Sequence, residues 1–160
     1  MSDRDVHTPA EGAEGTDPTA GFSLHPRLEA DTLALPVSLA QSIGPTDLCE
    51  VRLANDRRFP WVILIPRRAG VTELHDLSPA DQQTLMAEIT RIAAVLKQRF
   101  KADKVNVATL GNLVPQLHIH IVMRFTTDPA WPGPIWGHGT PEPYGEGEIE
   151  RMQTHVERLL

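Results

Sequence analysis

The 160-residue chain is 41% hydrophobic and 22% charged, ordinary for a globular protein and long enough for one domain that buries roughly two-thirds of its unfolded surface. Its formal charge of −6 comes with no basic run or basic-aromatic patch, which excludes DNA or RNA as an expected partner but not a small phosphorylated ligand. A single cysteine, Cys49, rules out an internal disulfide and a Cys-based zinc site, and no apolar run approaches the ~18–20 residues of a membrane span.

Residues 1–20 are small and polar with almost no large apolar side chains, too little to offset ordering entropy, so a disordered tail is expected before a domain over 21–160. His7 is incidental on this reading. No basic region followed by an apolar one opens the chain, and a cytoplasmic location is the default. Phe22, Leu24 and Leu28 read as a lead-in packing on the core. Residues 31–39 look extended but are interrupted by Pro36, as at an edge strand or a bend. Gly44-Pro45-Thr46-Asp47 is a turn. Leu48-Cys49-Glu50-Val51-Arg52-Leu53 alternates as a strand, which makes Cys49 a small buried hydrophobe rather than a nucleophile. Asn55-Asp56-Arg57-Arg58 then forms a hairpin-like loop, and Trp61-Val62-Ile63-Leu64-Ile65 is apolar throughout, as in a central strand.

One long helix follows over 78–101. Ser78 is its N-cap, Pro79 its first residue and Asp81 the acidic partner three residues on. Leu85, Ile89, Ile92, Leu96 and Phe100, with Met86 and Ala93 beside them, share one face at 3.6-residue spacing. Residues 104–110 read as a strand. The segment 128–137 carries too much Pro and Gly for a regular element, and its Trp131 and Trp136 call for burial. A shorter closing helix is expected over 149–160, with His138 and His155 facing solvent. Successive strands, one long helix and no βαβ alternation indicate an α+β fold with a mostly antiparallel sheet.

The reactive stretch precedes the Trp/Pro-rich segment. From Gln116 to Val122 polar and apolar residues alternate as in a half-buried strand. Leu117, Ile119 and Ile121 then face the core, while Gln116, His118 and His120 share the other face at roughly 6.6–7 Å spacing. A His-x-His pair of this kind serves either as hydrogen-bonded packing or as a reactive surface. Gly111-Asn112 supplies a turn just before it, where exposed backbone N–H groups can hold an anion.

Gly111-Asn112-Leu113-Val114-Pro115-Gln116-Leu117-His118-Ile119-His120-Ile121-Val122 resembles the signature of the histidine triad (HIT) proteins, nucleotide hydrolases and transferases with the pattern Gly-Gln-Ser/Thr-x-x-His-x-His-x-His-x-x. The register needs no gap. Gln116 stands for the first His, Asn112 for Gln and Leu113 for Ser/Thr, a Gln-x-His-x-His form similar to that of a bacterial subgroup. The likeness extends over about 22–125, through the 55–68 turn and strand and the 78–101 helix. It implies a five-stranded, mostly antiparallel sheet with one long helix and a shorter C-terminal one, and a homodimer. It also implies a hydrolase or nucleotidyl transferase acting at the α-phosphate of a nucleotide conjugate, a dinucleoside polyphosphate or nucleoside phosphoramidate. The reaction would run through a nucleotidyl-histidine intermediate without a cofactor.

By position His118 is the nucleophile, with its Nδ1–H held by the Gln116 backbone carbonyl, and His120 the partner of a phosphate or leaving-group oxygen. His118, His120 and Gln116 are thus the catalytic candidates. Asn112, Gly111, Asn106 and Trp61 are the substrate-binding ones, Trp61 either stacking on the nucleotide or packing in its strand. Two other readings stay open. His118 and His120 could bind a metal, as in a zinc hydrolase or cupin-like site, with a third ligand from His25, His75 or Glu50. Alternatively the chain could bind nucleotides without catalysis.

Overall fold

The computed structural model describes residues 17–157. Most of the expected tail, residues 1–16, and the last three residues of the expected closing helix lie outside the described residues. The part of the tail that is described, 17–20, enters a turn in which the Asp17 carboxylate accepts from the Thr19 N–H and hydroxyl.

The elements run α1 (Pro26–Asp31), β1 (Thr32–Ala34), α2 (Val37–Ile43), β2 (Cys49–Ala54), β3 (Trp61–Pro66), a 3₁₀ turn (Leu74–Asp76), α3 (Pro79–Phe100), β4 (Lys104–Ala108), β5 (Ile119–Arg124) and α4 (Glu148–Glu157). The strands form one sheet in the order β1-β2-β3-β5-β4, and every neighbouring pair is antiparallel. The solid apolar run 61–65 is the middle strand, as expected of a segment covered on both faces.

Helix α3 forms where its signals place it. The Ser78 hydroxyl accepts from the Asp81 N–H at 3.1 Å, and the helix closes on Lys101 in a left-handed conformation (φ 52°). Leu85, Ile89, Ile92 and Leu96 are buried with Leu53, Val62, Leu64, Ile119, Ile121 and Met123, giving the main core on one sheet face. Met86, expected beside that face, is 59% exposed. It follows Leu85 by 100° around the helix and points past the sheet.

A buried carboxylate docks α3 on the sheet. Glu88 accepts from the N–H groups of Leu48 and Cys49 at 2.9 and 3.1 Å, satisfying two backbone donors at the start of β2. Burial and the neighbouring Glu88 push the Cys49 thiol far above its ordinary pKa, so it is the inert packing residue its strand position implied. At the other end, Arg68 grips Asp81 with two bonds of 2.7 and 2.8 Å, tying the exit of β3 to the first turn of α3.

The extended reading of 31–39 is corrected. Only Thr32–Ala34 is strand, and Val37–Ile43 is helix. Pro36 does not interrupt a strand but precedes a helix, a position its fixed φ suits. Leu39 and Ile43 then bury at i, i+4, and Gly44 (φ 70°) ends the helix with its N–H on the Ala40 carbonyl. The histidine strand is also displaced: β5 starts at Ile119, not Gln116. Leu117 instead donates its N–H to the Val71 carbonyl at 3.0 Å, outside the β3 ladder.

Candidate active site

Directly opposed residues in an antiparallel pair share a sheet face. Ile63 pairs with His120 and Trp61 with Val122, so Trp61, Ile63, His118 and His120 lie on the face turned away from α3. That face floors a cleft of about 860 Å³. Its walls come from three places: α1 (Arg27, Leu28, Asp31), the β2–β3 turn (Asn55, Asp56, Arg58) and the loop 135–143, while 110–114 form a further edge.

His118 and His120 are 6% and 7% exposed, with ring centroids 4.9 Å apart and planes at 78°. Each ring has one nitrogen committed, and the two commitments are opposite. His118 Nδ1 lies 2.7 Å from the Gln116 carbonyl oxygen. A carbonyl only accepts, so Nδ1 carries the proton and Nε2 keeps its lone pair. His120 Nδ1 lies 3.1 Å from Trp61 Nε1. An indole N–H only donates, so Nδ1 is the bare nitrogen and Nε2 carries the proton. Burial, with a smaller contribution from the neighbouring His118, pushes the His120 pKa down to about 3. One imidazole thus offers a nucleophilic nitrogen and the next a neutral N–H.

Around His120 the aromatic rings close in. Trp61 sits 5.3 Å and Trp136 5.6 Å from it, centroid to centroid. Trp136 Nε1 is buried and has no hydrogen-bond partner among the described residues. Trp136 is therefore the tryptophan of its segment that the sheet buries in part. Trp131, also expected to be covered, is 38% exposed and lies against the Arg124 guanidinium, 5.8 Å from it.

Buried polar clamps hold the walls. Arg124, 2% exposed, donates from Nε and Nη2 to Asp128 at 2.7 and 3.0 Å and from Nη2 to the Gly133 carbonyl at 2.9 Å, anchoring the loop that carries Trp136. Asp56 takes a fork from Arg58 at 2.8 and 2.6 Å, and Arg58 reaches on to the His138 carbonyl at 2.9 Å. Burial pushes the Asp56 carboxyl up. The bonds from Arg58 and the N–H of Glu142 outweigh it and hold the group below the usual carboxylate range.

The remaining expected site residues divide. Gly111, in the left-handed region (φ 71°), and Asn112 line the cleft, as His118 does. Leu113 is 77% exposed. Asn106 shares the site face but is not among the cleft's lining residues, and its amide oxygen accepts from Arg124 Nη1 at 2.7 Å. Gln116 turns its amide toward the N-terminal segment: Oε1 accepts from the His25 N–H at 2.8 Å and Nε2 donates to the Ser23 carbonyl at 2.9 Å. The third-ligand candidates are spread out. His25 caps α1 through Nδ1, His75 stands exposed beside Asp76, and Glu50 pairs with Arg52. Among the described residues no group of three or more His, Cys, Asp or Glu is placed to hold a metal ion.

This fold and this site have relatives. The HIT domain family profile matches residues 36–127, more than half of the chain. The chain belongs to the HIT family. Among solved structures, a histidine triad protein of Sinorhizobium meliloti 1021 is 43% identical, covering 89% of this chain and 99% of that one with a TM-score of 0.76. A histidine triad protein of Marinobacter aquaeolei VT8 is also 43% identical, covering 87% and 96% at a TM-score of 0.75. A bis(5'-adenosyl)-triphosphatase of Saccharomyces cerevisiae is 35% identical over 69 residues, 40% of this chain and 34% of the yeast protein. The matched part is thus about a third of that curated relative's length. Among the described residues, no helix of this HIT protein is long and apolar enough to cross a membrane.

Trp61 as the partner of His120 and Gln116 as a clamp on the N-terminal segment were not apparent from the residues alone. The first has a signal in hindsight, since residues diagonal across an antiparallel pair are within reach of a long aromatic. The second joins positions 91 and 93 apart, for which the chain offers no local cue.

Proposed function

We propose that this HIT protein is a hydrolase or nucleotidyl transferase of nucleotide conjugates, acting at the α-phosphate through a covalent intermediate on His118. The observation that carries the reading is the 2.7 Å contact of His118 Nδ1 with the Gln116 carbonyl, which leaves Nε2 unprotonated toward the cleft chemistry. In the first step Nε2 attacks phosphorus and a P–N bond forms. The bond from phosphorus to the leaving group breaks, and the departing atom takes the electron pair. The Gln116 carbonyl stabilises the resulting imidazolium through Nδ1–H. In the second step water, or another acceptor, attacks phosphorus. The P–N electrons return to His118, the acceptor's proton passes to solvent, and a nucleoside monophosphate or its ester leaves.

The supporting features form a consistent set. The Gly111-Asn112 turn lines the same cleft as His118 and suits the nonbridging oxygens. His120 offers a neutral N–H in the same cleft, and the yeast relative is named for splitting a dinucleoside polyphosphate. The cytoplasmic location and the homodimer implied by the resemblance belong to the same proposal. For the homodimer, β4 is a sheet edge with Val107 47% exposed.

The test is nucleotide release from diadenosine triphosphate and from an adenosine phosphoramidate by metal-stripped protein, wild type against His118→Ala, with and without chelator. Turnover that survives chelator and falls by at least about 10⁴-fold in the variant is expected. Activity retained in His118→Ala, or lost on metal removal and restored by zinc, would remove the covalent route. Binding without turnover would leave a nucleotide-binding protein.

A further inference from the structure

Trp61 sits where the sequence offered two roles, stacking on a ligand or packing in its strand, and the structure shows a third. Its indole N–H spends itself on His120 Nδ1 at 3.1 Å, its ring lies 54° from the imidazole plane, and Trp136 packs edge-on against both rings. The ionisable groups that face the pair from the packed elements are His118 just before β5, Asp56 and Arg58 in the β2–β3 turn, Arg27 and Asp31 on α1, and His138 in the 135–143 loop. The carboxylates among them have other partners: Asp56 is held by Arg58 and Asp31 lies 3.5 Å from Arg27. The hydrogen-bond partner of the His120 ring is an indole donor, which opposes a second proton on Nδ1.

We propose that Trp61 is a positioning residue that fixes His120 as a neutral Nε2–H donor, and that this makes the site selective for phosphoanhydrides over phosphoramidates and other conjugates whose leaving atom must be protonated. The inference rests on the covalent histidine reading above and names the substrate class within it.

The chemistry follows from what His120 can give. A neutral imidazole that surrenders its only N–H proton becomes an imidazolate, which is far too basic to form near neutral pH. His120 therefore donates a hydrogen bond without transferring a proton. When His118 Nε2 attacks an anhydride, the bridging P–O bond breaks and its electron pair stays on a phosphate oxygen. That group, with a second pKa near 6, is stable as an anion and needs only the hydrogen bond. When the substrate is a phosphoramidate, the P–N bond breaks only after a proton reaches nitrogen, because the free amine is protonated up to about pH 10. An acid is then required that His120, held this way, does not supply. Burial acts in the same direction, keeping the imidazole neutral through the physiological range.

The experiment has one arm that does not depend on turnover. Long-range ¹H–¹⁵N spectra of the histidine rings in the full-length protein are expected to show His120 as the Nε2–H tautomer from pH 5.5 to 8. In Trp61→Phe, which keeps a ring and loses the donor, the Nδ1–H and Nε2–H tautomers of the still neutral His120 mix. Trp61→His, which restores a ring N–H, recovers part of the wild-type signature, and the same spectra report whether each variant is folded. In the second arm, kcat/KM for diadenosine triphosphate exceeds that for an adenosine alkylphosphoramidate by about 100-fold or more, the contribution of a missing general acid. In Trp61→Phe kcat/KM for diadenosine triphosphate falls with the share of His120 that no longer carries its proton on Nε2.

A wild-type His120 that carries its proton on Nδ1, or that titrates near pH 6.5, overturns the proposal. So does a phosphoramidate turned over as fast as the anhydride. If neither substrate is turned over, the covalent reading and the selectivity built on it both fail, and the spectra still decide the Trp61 contact.

Discussion

Gln116 occupies the position of the triad's first histidine, yet its amide is engaged away from the cleft, and replacing it separates two roles. In Gln116→Ala the backbone carbonyl that holds His118 Nδ1 at 2.7 Å remains, while the bonds to the His25 N–H and the Ser23 carbonyl are lost. At about 0.5–1.5 kcal/mol each, the two bonds are worth about 1–3 kcal/mol. They are not all that holds the segment. Leu28, 5% exposed, packs with Ala54, Ile63, Ile65 and Val114, and its burial contributes about 2 kcal/mol. The wall should therefore loosen without leaving. Hydrogen exchange at the His25 and Glu29 amides, the latter bonded to the His25 carbonyl at 3.1 Å, is expected to quicken by about 5- to 150-fold, the rate equivalent of that free energy. Substrate KM should rise as Arg27, Leu28 and Asp31 lose their fixed place, with kcat changed by less. Gln116→Glu is the control: a carboxylate still accepts from His25 but faces the Ser23 carbonyl without a donor, so it falls between. Unchanged exchange at His25, together with a loss confined to kcat, would show that the side chain serves the chemistry and refute the clamp.

Arg124→Ala leaves the Asp128 carboxylate buried without its cation, both side chains being under 5% exposed, and is expected to cost about 3–5 kcal/mol. That lowers Tm by about 10–15 °C for a chain of this size, and a loss under about 1 kcal/mol by urea unfolding would mean that water replaces the pair. The same carboxyl makes the pair sensitive to acid. Burial raises the Asp128 pKa, but the Arg124 bonds and the N–H groups of Phe125 and Ala130 outweigh it and leave it lowered. Its stabilisation is therefore full above the ordinary carboxylate value near 3.9 and is lost as pH falls through the lowered one. In sedimentation, the homodimer should persist to low micromolar concentration and weaken with Val107→Lys on the β4 edge, whereas a monomer at all concentrations would remove it.

Legibility in the sequence tracked how local each determinant is. Helix α3 was readable because its cap, first proline and 3.6-residue stripe all lie within the helix itself, and β2 and β3 because alternation and unbroken apolarity are strand properties. Helix α2 was not, since seven residues give too few turns for a period to show, and Pro36 carries the same identity before a helix as within a bent strand. The histidine pair was readable from parity alone. The contact that holds His118 Nδ1 was implied by the family resemblance, and its partner is two residues away. The partner of His120 lies across the sheet, and only the register that pairs Trp61 with Val122 brings it within reach. Nothing local marks Arg124, the last residue of β5, for burial. Its 2% exposure comes from Asp128, Asn106 and Gly133, which meet it only after the chain turns back.

The division between cleft floor and walls carries a consequence for how substrate choice is built into this HIT protein. His118, His120, Trp61, Gly111 and Asn112 all fall within the span 36–127 that matches the family. Two of the three walls that face them do not: Arg27, Leu28 and Asp31 precede that span, and Ile135, Trp136 and His138 follow it, while the β2–β3 turn lies within it. The 135–143 wall is joined to the floor by the polar clamps of Arg124 and Arg58, and the α1 wall by Gln116 together with Leu28 and with β1, which continues α1 into the sheet. A clamp of one to three hydrogen bonds is worth a few kcal/mol at most, against the dense packing that fixes β3 and β5. Chemistry and selectivity therefore rest on parts of different rigidity. Changes at the clamps should move KM and leaving-group preference while leaving the orientation of His118 intact, because that orientation depends on a backbone carbonyl that no side-chain substitution removes.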